Sequence, residues 1–326
     1  MGCINGERGI ALVLALLVIT ILSVMVIEFN YLMRVDITMA ANVRDQNKAM
    51  YIAKAGINAA IAVLKEDDNK YDAPSEDWGK FAELTKNPLA YGEYLGEGRI
   101  TVDIFDESSK VNINKIVNGN SKSLQQLESL FTLLEVDTDI IEGIMDWIDP
   151  DHDERPMGAE DDYYKGTETP YPCKDGPLHV LSELLMVKGI TEDIFYGTKE
   201  RKGIKNFLTV HSDGKININT ADSLILRTLG YWEDDEWVSP IDEETAQSII
   251  DQREEAVFED ISDLKKVQDM DEIYGKIKDQ ITVQSGFYLV NALGEVNMAE
   301  KRIKAIINRE KKGAERVMKI SYWAVE

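Results

Sequence analysis

The chain has little with which to do chemistry. Of its 326 residues two are cysteines, Cys3 and Cys173, and three are histidines, His152, His179 and His211. No histidine pair has the His-Glu-x-x-His spacing of a metal hydrolase. There is no Gly-x-Ser-x-Gly elbow and no phosphate loop. Cys173 stands between Pro172 and Lys174 without an evident base. These absences argue against an enzyme. Positive charge is also scarce: 36 Lys and Arg face 59 Asp and Glu, a net charge of −23 with a pI near 4.6. Such a surface repels phosphate backbones. The one marked basic cluster, "NREKKGAERVMK", is mixed with acids, so nucleic acid is not expected as a partner. Acidic surfaces do gather divalent cations.

Proline is missing from the first sixty-five residues, and charge is missing from Ile10 to Ile27. Eighteen uncharged residues make a helix of roughly 27 Å, close to the hydrocarbon thickness of a bilayer. A secretory signal would have a shorter apolar core and a small-residue cleavage site. Nothing like Ala-x-Ala closes this run. Further on, Ala49, Ile52, Ala53, Gly56, Ile57, Ala60 and Leu64 recur at helical spacing. The pattern predicts one helix from about Ile10 to Leu64, half in lipid and half out. Its lower half carries a narrow stripe of small and aliphatic residues suited to packing on a sheet or on other helices. The same residues also allow an anchor followed by an unrelated amphipathic helix.

The start, "ERG" before "IALVL", resembles the prepilin-peptidase site of type IV pilins and pseudopilins, which is cut after glycine. By that resemblance cleavage falls between Gly9 and Ile10, and Cys3 leaves with the leader. Cys173 then has no partner within the chain, and no intramolecular disulfide is expected. Pilin-like subunits usually carry Glu as the fifth mature residue, where it is thought to meet a neighbour's N-terminal amine. Here that position is Leu14. A carboxylate at that depth is costly unless paired. A subunit that cannot make the pairing suits the end of a filament and not its repeating body.

In the body, "RITVDIF" alternates as a strand does. "KVNIN" and "FLTVHSDGKININ" read as further strands. "SLQQLESLFTLLEV", "TDIIEGIMDWID" and "LHVLSELLMVKG" are helical in pattern, as are "EETAQSIIDQREEA" and "ISDLKKV". The end is strand-like, with a hairpin closed at "KKGA". An α+β protein is expected: a long N-terminal helix packed on an antiparallel sheet, with a helical insert between strands. An internal repeat runs through the insert. Lys110-Val-Asn-Ile-Asn matches Lys215-Ile-Asn-Ile-Asn at an offset of 105, and "LSELLMV" matches "ISDLKKV" at an offset of 80. The first copy therefore carries 25 extra residues.

Those extra residues lie in "DWIDPDHDERPMGAEDDYYKGTETPYPCKDGP". Asp149, Asp151 and Asp153 alternate, and Glu160 follows at the twelfth position, ahead of Asp161 and Asp162. An EF-hand uses oxygens at positions one, three, five and twelve. Position six is Glu154, where that loop needs glycine, and Pro150 and Pro156 stiffen the stretch. A calcium site that is not an EF-hand is expected, because so many carboxylates in one loop repel each other and a hard cation relieves that. Magnesium prefers smaller, wetter sites. A solvated acidic loop without an ion is the other reading of the composition. "YYKGTETPYP" argues that the loop is ordered.

Together the glycine-ended leader, Leu14, "AGINAA", "DWIDPDHDERPMGAEDDYY" with "PLHVLSELLMVKGI", and "KININTA" resemble the protein K family of minor pseudopilins of the type II secretion system. The resemblance covers essentially the whole chain. It implies a pilin-like fold with a large α-helical domain inserted into the sheet region, and structural Ca2+ bound by that insert. Candidate ligands are Asp149, Asp151, Asp153, Glu160 and Asp161. It implies cleavage by prepilin peptidase at Gly9 and Ile10. It places the chain at the tip of a pseudopilus with other minor pseudopilins. It also implies a single pass through the bacterial inner membrane, N-terminus cytoplasmic and body periplasmic. The expected division is a leader 1–9, a transmembrane half-helix 10–27 and a periplasmic half-helix 28–66. The sheet region would be 67–114, 207–220 and 281–326. The inserted helical domain would be 115–206, with its acidic loop 146–177, and the second helical repeat 221–280. The alternative is a membrane-tethered DNA-binding protein, because "ININTADSLILRTLG" through "FEDISDLKKV" also resembles the helix-hairpin-helix domains of DNA-uptake proteins. Against it, the second copy reads "KKVQDMDEIYG", with acids where the phosphate-holding glycines should stand.

Overall fold

The computed structural model describes residues 5–86, 96–117, 121–312 and 315–326. One unbroken helix, α1, runs from Asn5 to Glu66. No proline interrupts it, and it stops where Asp67 turns the chain by accepting a hydrogen bond from the Asn69 N–H at 3.1 Å. Every described side chain from Gly9 to Ala40 is exposed. The body takes hold at Asp45, whose carboxylate accepts from the Asn297 amide at 2.7 Å. Asn297 sits at φ 54° in a hairpin turn and so hooks that turn onto α1. Below this point Ala49, Ala53, Gly56, Ile57, Ala60 and Leu64 are buried, which is the stripe the sequence marks out, while Ile52 is half-buried.

The stripe lies on a four-stranded antiparallel sheet in the order β1-β8-β9-β10. Its strands are β1 (Gly98–Asp106), β8 (Phe287–Val296), β9 (Ala299–Lys312) and β10 (Glu315–Val325). Strand β8 alternates strictly, its even-numbered residues buried under α1. Val102, Tyr288, Val290, Ala292, Ile303, Ala305 and Ile307 form this core with the α1 stripe. Each large aliphatic side chain buried here contributes about 1.5–3 kcal/mol. A short helix, α2 (Asp77–Thr85), closes one side with Trp78 and Phe81. The β9–β10 hairpin pairs Glu315 with Lys312, and the tip residues 313–314 fall outside the described set.

Everything from residue 107 to 286 is inserted between the neighbouring strands β1 and β8, with a hydrophobic core of its own. The segments 110–114, 207–220 and 281–286, expected with the sheet, belong to the insert instead. β2 (Val111–Asn112) lies parallel to β3 (Leu208–Thr209), and β4 (Ile216–Asn217) lies parallel to β7 (Ile281–Thr282). The remaining pair, β5 (Tyr231–Glu233) and β6 (Glu236–Val238), is a hairpin. The two copies of the sequence repeat fold alike. In each, the second Asn of Asn-Ile-Asn clasps a distant loop. Asn114 donates to Leu178 O and accepts from Leu178 N, at 2.9 and 2.8 Å. Asn219 does the same with Phe258, at 2.9 and 3.0 Å. The clasped residues stand 80 apart, the offset already seen in the sequence. Each clasp leads into a 3₁₀ turn, Leu181–Met186 or Ile261–Lys266, that buries its central leucine, Leu184 or Leu264. The sequence pattern there reads as α-helix. The turns stay short because Glu183 and Asp263 fold back onto the backbone N–H groups that precede them.

A buried polar joint connects the insert to the sheet. Asp106, at the end of β1, accepts from Ser285 Oγ, Thr220 Oγ1, Asn217 Nδ2 and the Ser108 N–H. Burial pushes this carboxyl up to about 6. Beside it Arg309 of β9 bridges Asp67 and Asp72 and donates to Ser285 O, and Tyr288 donates to Asp72.

Candidate metal centre in the acidic loop

The acidic loop begins where the helix Ile140–Ile148 ends. That helix buries Ile144, Trp147 and Ile148 and carries Asp146 into the interior. Arg155 reaches back with Nη1 to Asp146 Oδ1 and, at 2.6 Å, to Asp149 Oδ2. The backbone of Gly158 then passes so close that a Cβ there would stand 1.8 Å from Asp146 Oδ2. Only glycine fits this crossing. Beyond it, Trp147, Tyr164 and Tyr171 pack edge-on or tilted, with ring centroids 4.9–6.1 Å apart. Tyr164 is fully buried, and Tyr171 donates to Met186 O at 2.8 Å. The aromatics of "YYKGTETPYP" thus order the loop.

This scaffold brings two buried or half-buried carboxylates, Asp149 and Asp175, each up to a third, Glu160. Asp149 Oδ1, both oxygens of Glu160, and Asp175 Oδ1 are buried and accept no hydrogen bond among the described residues. Ligand atoms of Asp149, Asp151 and Glu160 lie within 4.8 Å of one another, and so do those of His152, Glu160 and Asp175. Desolvation, then the charges of Asp146, Asp175 and Asp149, push the Glu160 carboxyl up to about 7. Orphaned, mutually repelling oxygens in a dry place are the donor set that a hard divalent cation takes. The residues present therefore fit calcium.

Of the five residues marked in the sequence, Asp149, Asp151 and Glu160 converge. Asp153 is exposed and its N–H donates to Asp151 Oδ1 at 3.0 Å. Asp161 points away, held by Lys165 at 2.6 Å and by the Cys173 N–H at 2.9 Å. Asp175 is the ligand candidate that sequence reasoning missed. Its signal was present in "CKDGP": an Asp-Gly pair, here with Asp175 at φ 50°, turns the chain back toward Glu160. Cys173 is buried and unpaired with its thiol pushed up to about 12 by burial, so it is inert at neutral pH. The other acidic cluster, Asp67, Asp72 and Glu76, is consumed by Arg309, Tyr288, Trp78 and backbone donors.

At the N-terminal sites, Gly9, Ile10 and Leu14 all stand exposed on α1, Leu14 at 57%. The helix is long and apolar enough to cross a membrane.

Two family models match the two copies of the repeat. Both are described as type II secretion system (T2SS), protein K, and they match residues 109–197 and 216–284. Over these two segments the chain is similar to the type II secretion system protein K family. A protein K from Klebsiella pneumoniae is 24% identical over 204 residues, covering 59% of this chain and 60% of that protein. One from Pectobacterium carotovorum is 33% identical over 111 residues, covering 30% and 34%. The matches to the first two relatives, from Escherichia coli K12 and Klebsiella, span 60% of those proteins' length. A solved GspK-GspI-GspJ complex from enterotoxigenic Escherichia coli contains a chain with TM-score 0.68 to this one. It covers 88% of this chain and 99% of that one at 20% identity, and so shares the pilin-like fold. The DNA-binding alternative has no support. In the second protein K copy the residue matching Gly189 is Asp269, and Lys265 and Lys266 are paired with Asp271 and Asp263.

Proposed function

We propose that the chain is a minor pseudopilin at the tip of the type II secretion pseudopilus. It assembles there with other minor pseudopilins to initiate or cap the filament that drives protein export across the outer membrane. The observation that carries this reading is α1 itself, whose apolar half from Ile10 to Ile27 is wholly exposed and presents Leu14 where a filament-body subunit needs a carboxylate. The two family-model matches support it, as does the solved GspK-GspI-GspJ complex of the structural neighbour. On this reading prepilin peptidase cuts between Gly9 and Ile10. The helix crosses the bacterial inner membrane once, with the body in the periplasm, and the chain has no catalytic role.

A Leu14→Glu variant tests the placement. Leu14 touches nothing in the body, so the melting midpoint of the purified chain is expected to stay within about 1 °C of the parent. Secretion should fall, because the variant can then enter the filament body. Unchanged secretion with the variant still at the tip would overturn the reading.

Calcium belongs to the same proposal. Asp149, Glu160 and Asp175 would hold the ion, with Asp151 at the exposed side, and it would neutralise their mutual repulsion. An ion at a hundredfold its Kd adds about 2.7 kcal/mol of stability. Calcium at millimolar concentration is therefore expected to raise the melting temperature by several degrees, and chelator should reverse this. Asp149→Asn with Glu160→Gln should abolish the response. The pH dependence has a definite sign. The Glu160 carboxyl is raised in the folded state, so its contribution without the ion is full below the unfolded value. It is lost as pH rises through about 7. Calcium needs the carboxylate and should bind more weakly at pH 6 than at pH 8. A melting curve indifferent to calcium and chelator would sink this part.

A further inference from the structure

The face of the sheet opposite α1 is only partly covered by the helical insert, and a cavity of about 620 Å³ remains between them. That volume lies within the range of ligand-sized pockets. Its floor follows from strand register. Phe105 pairs with Leu289, Leu289 with Ile306, and Ile306 with Tyr322. These four residues form one apolar row across all four strands, and all four line the cavity. Phe105 is 47% exposed, a large aromatic left open in the middle of the fold. At about 4.8 Å between strands the row spans roughly 14 Å, the length of about four extended residues.

The next row supplies polar groups. Asn291 pairs with Lys304, and both line the cavity. Asn291 Oδ1 is buried and accepts no hydrogen bond among the described residues. Among the described residues Lys304 is paired with the exposed Glu326, a pair of a kind that contributes little and exchanges readily. From the insert, Lys205 lines the opposite wall and makes no ion pair among the described residues, resting instead over the Tyr196 ring at 4.4 Å. Lys110 is already bound to the buried Glu107, and burial lowers the pKa of His211 against the opposing charge of Glu107. In a chain of net charge −23, a cavity lined by three lysines and one carboxylate is a local reversal of sign.

We infer that this cleft binds an extended segment of a partner protein in which apolar side chains alternate with Asp or Glu. Apolar side chains would lie on the Phe105–Leu289–Ile306–Tyr322 row. A backbone N–H of the segment would donate to Asn291 Oδ1, and its carboxylates would meet Lys205 and Lys304. The inference does not depend on the secretion reading, since it rests on the cleft alone.

The test is selection of a random dodecapeptide display library on the full chain in detergent. Enriched peptides are expected to carry carboxylates spaced by apolar residues. In fluorescence anisotropy with the chosen peptides, Lys205→Glu with Lys304→Glu should weaken binding at least tenfold. Exchanging the peptide's Asp and Glu for Asn and Gln should do the same. Phe105→Ser should also weaken binding with the lysines intact. All three sites are partly exposed, so melting temperatures should stay near the parent's and separate lost binding from lost fold. Failure to enrich any peptide, or enrichment of peptides whose affinity ignores these substitutions, would overturn the inference.

Discussion

Arg309→Met is expected to lower stability by about 3–5 kcal/mol, the cost of removing one partner from a buried ion pair. Arg309 donates to Asp72 from Nη2, to Asp67 at 2.8 Å from Nη1, and to Ser285 O at 2.8 Å. Asp72 is 1% exposed. Without the guanidinium two carboxylates remain in the interior, with uncharged Asp106 partners and no other cation among the described residues of the joint. The loss should appear in urea unfolding as a lower midpoint at unchanged slope. Arg309→Lys keeps the charge but not the fork, and should recover only part. Adding Asp72→Asn to Arg309→Met should also recover part, because a neutral amide needs no counter-charge. A loss below about 1 kcal/mol in Arg309→Met would mean that the joint is solvated and loose.

Gly294→Ala is expected to cost about 3 kcal/mol, at the upper end for overpacking. Gly294 lies in β8 directly under α1. A Cβ there would stand 2.1 Å from Ala49 O and 2.8 Å from Ala53 N. Both atoms belong to helix backbone, so no side chain can swing aside. The helix must lift, and the Ala49–Leu64 stripe loses contact along its length. Proteolysis within α1 should accelerate together with the loss of stability. If Gly294→Ala melts like the parent, α1 is held chiefly further down, near Leu64, and the close approach is incidental.

Much of this fold is legible in the residues because its strongest signals are local. The proline-free run and the Ala49–Leu64 stripe point to one long packed helix, which α1 is, and "RITVDIF" alternates in step with the β1 burial. The repeat offsets of 105 and 80 reappear as the two asparagine clasps. What could not be read is where side chains act at a distance. "FLTVHSDGKININ" has a strand's composition but forms only two-residue ladders, because Thr209 and Asn217 accept from the N–H two residues on and end each extended run. In the candidate metal centre, Asp149 and Glu160 are close in sequence, whereas Asp175 arrives only because the Trp147–Tyr164–Tyr171 cluster folds the loop back. Asp161 shows the opposite failure. Its spacing suits a ligand, but Lys165, one helical turn on, takes its carboxylate.

The order of the strands also governs how the molecule can be made. β8, β9 and β10 are consecutive, so their pairing is local and closes short loops. β1 is synthesised long before its neighbour β8, with residues 107–286 between them. Closing so long a chain is entropically slow, and low contact order elsewhere does not help it. Condensation of the insert around its own core draws Asp106 and Ser285 together and turns a long loop into a short one. The sheet under α1 would then be the last part to complete. Until then β1 waits with an open edge beside α1.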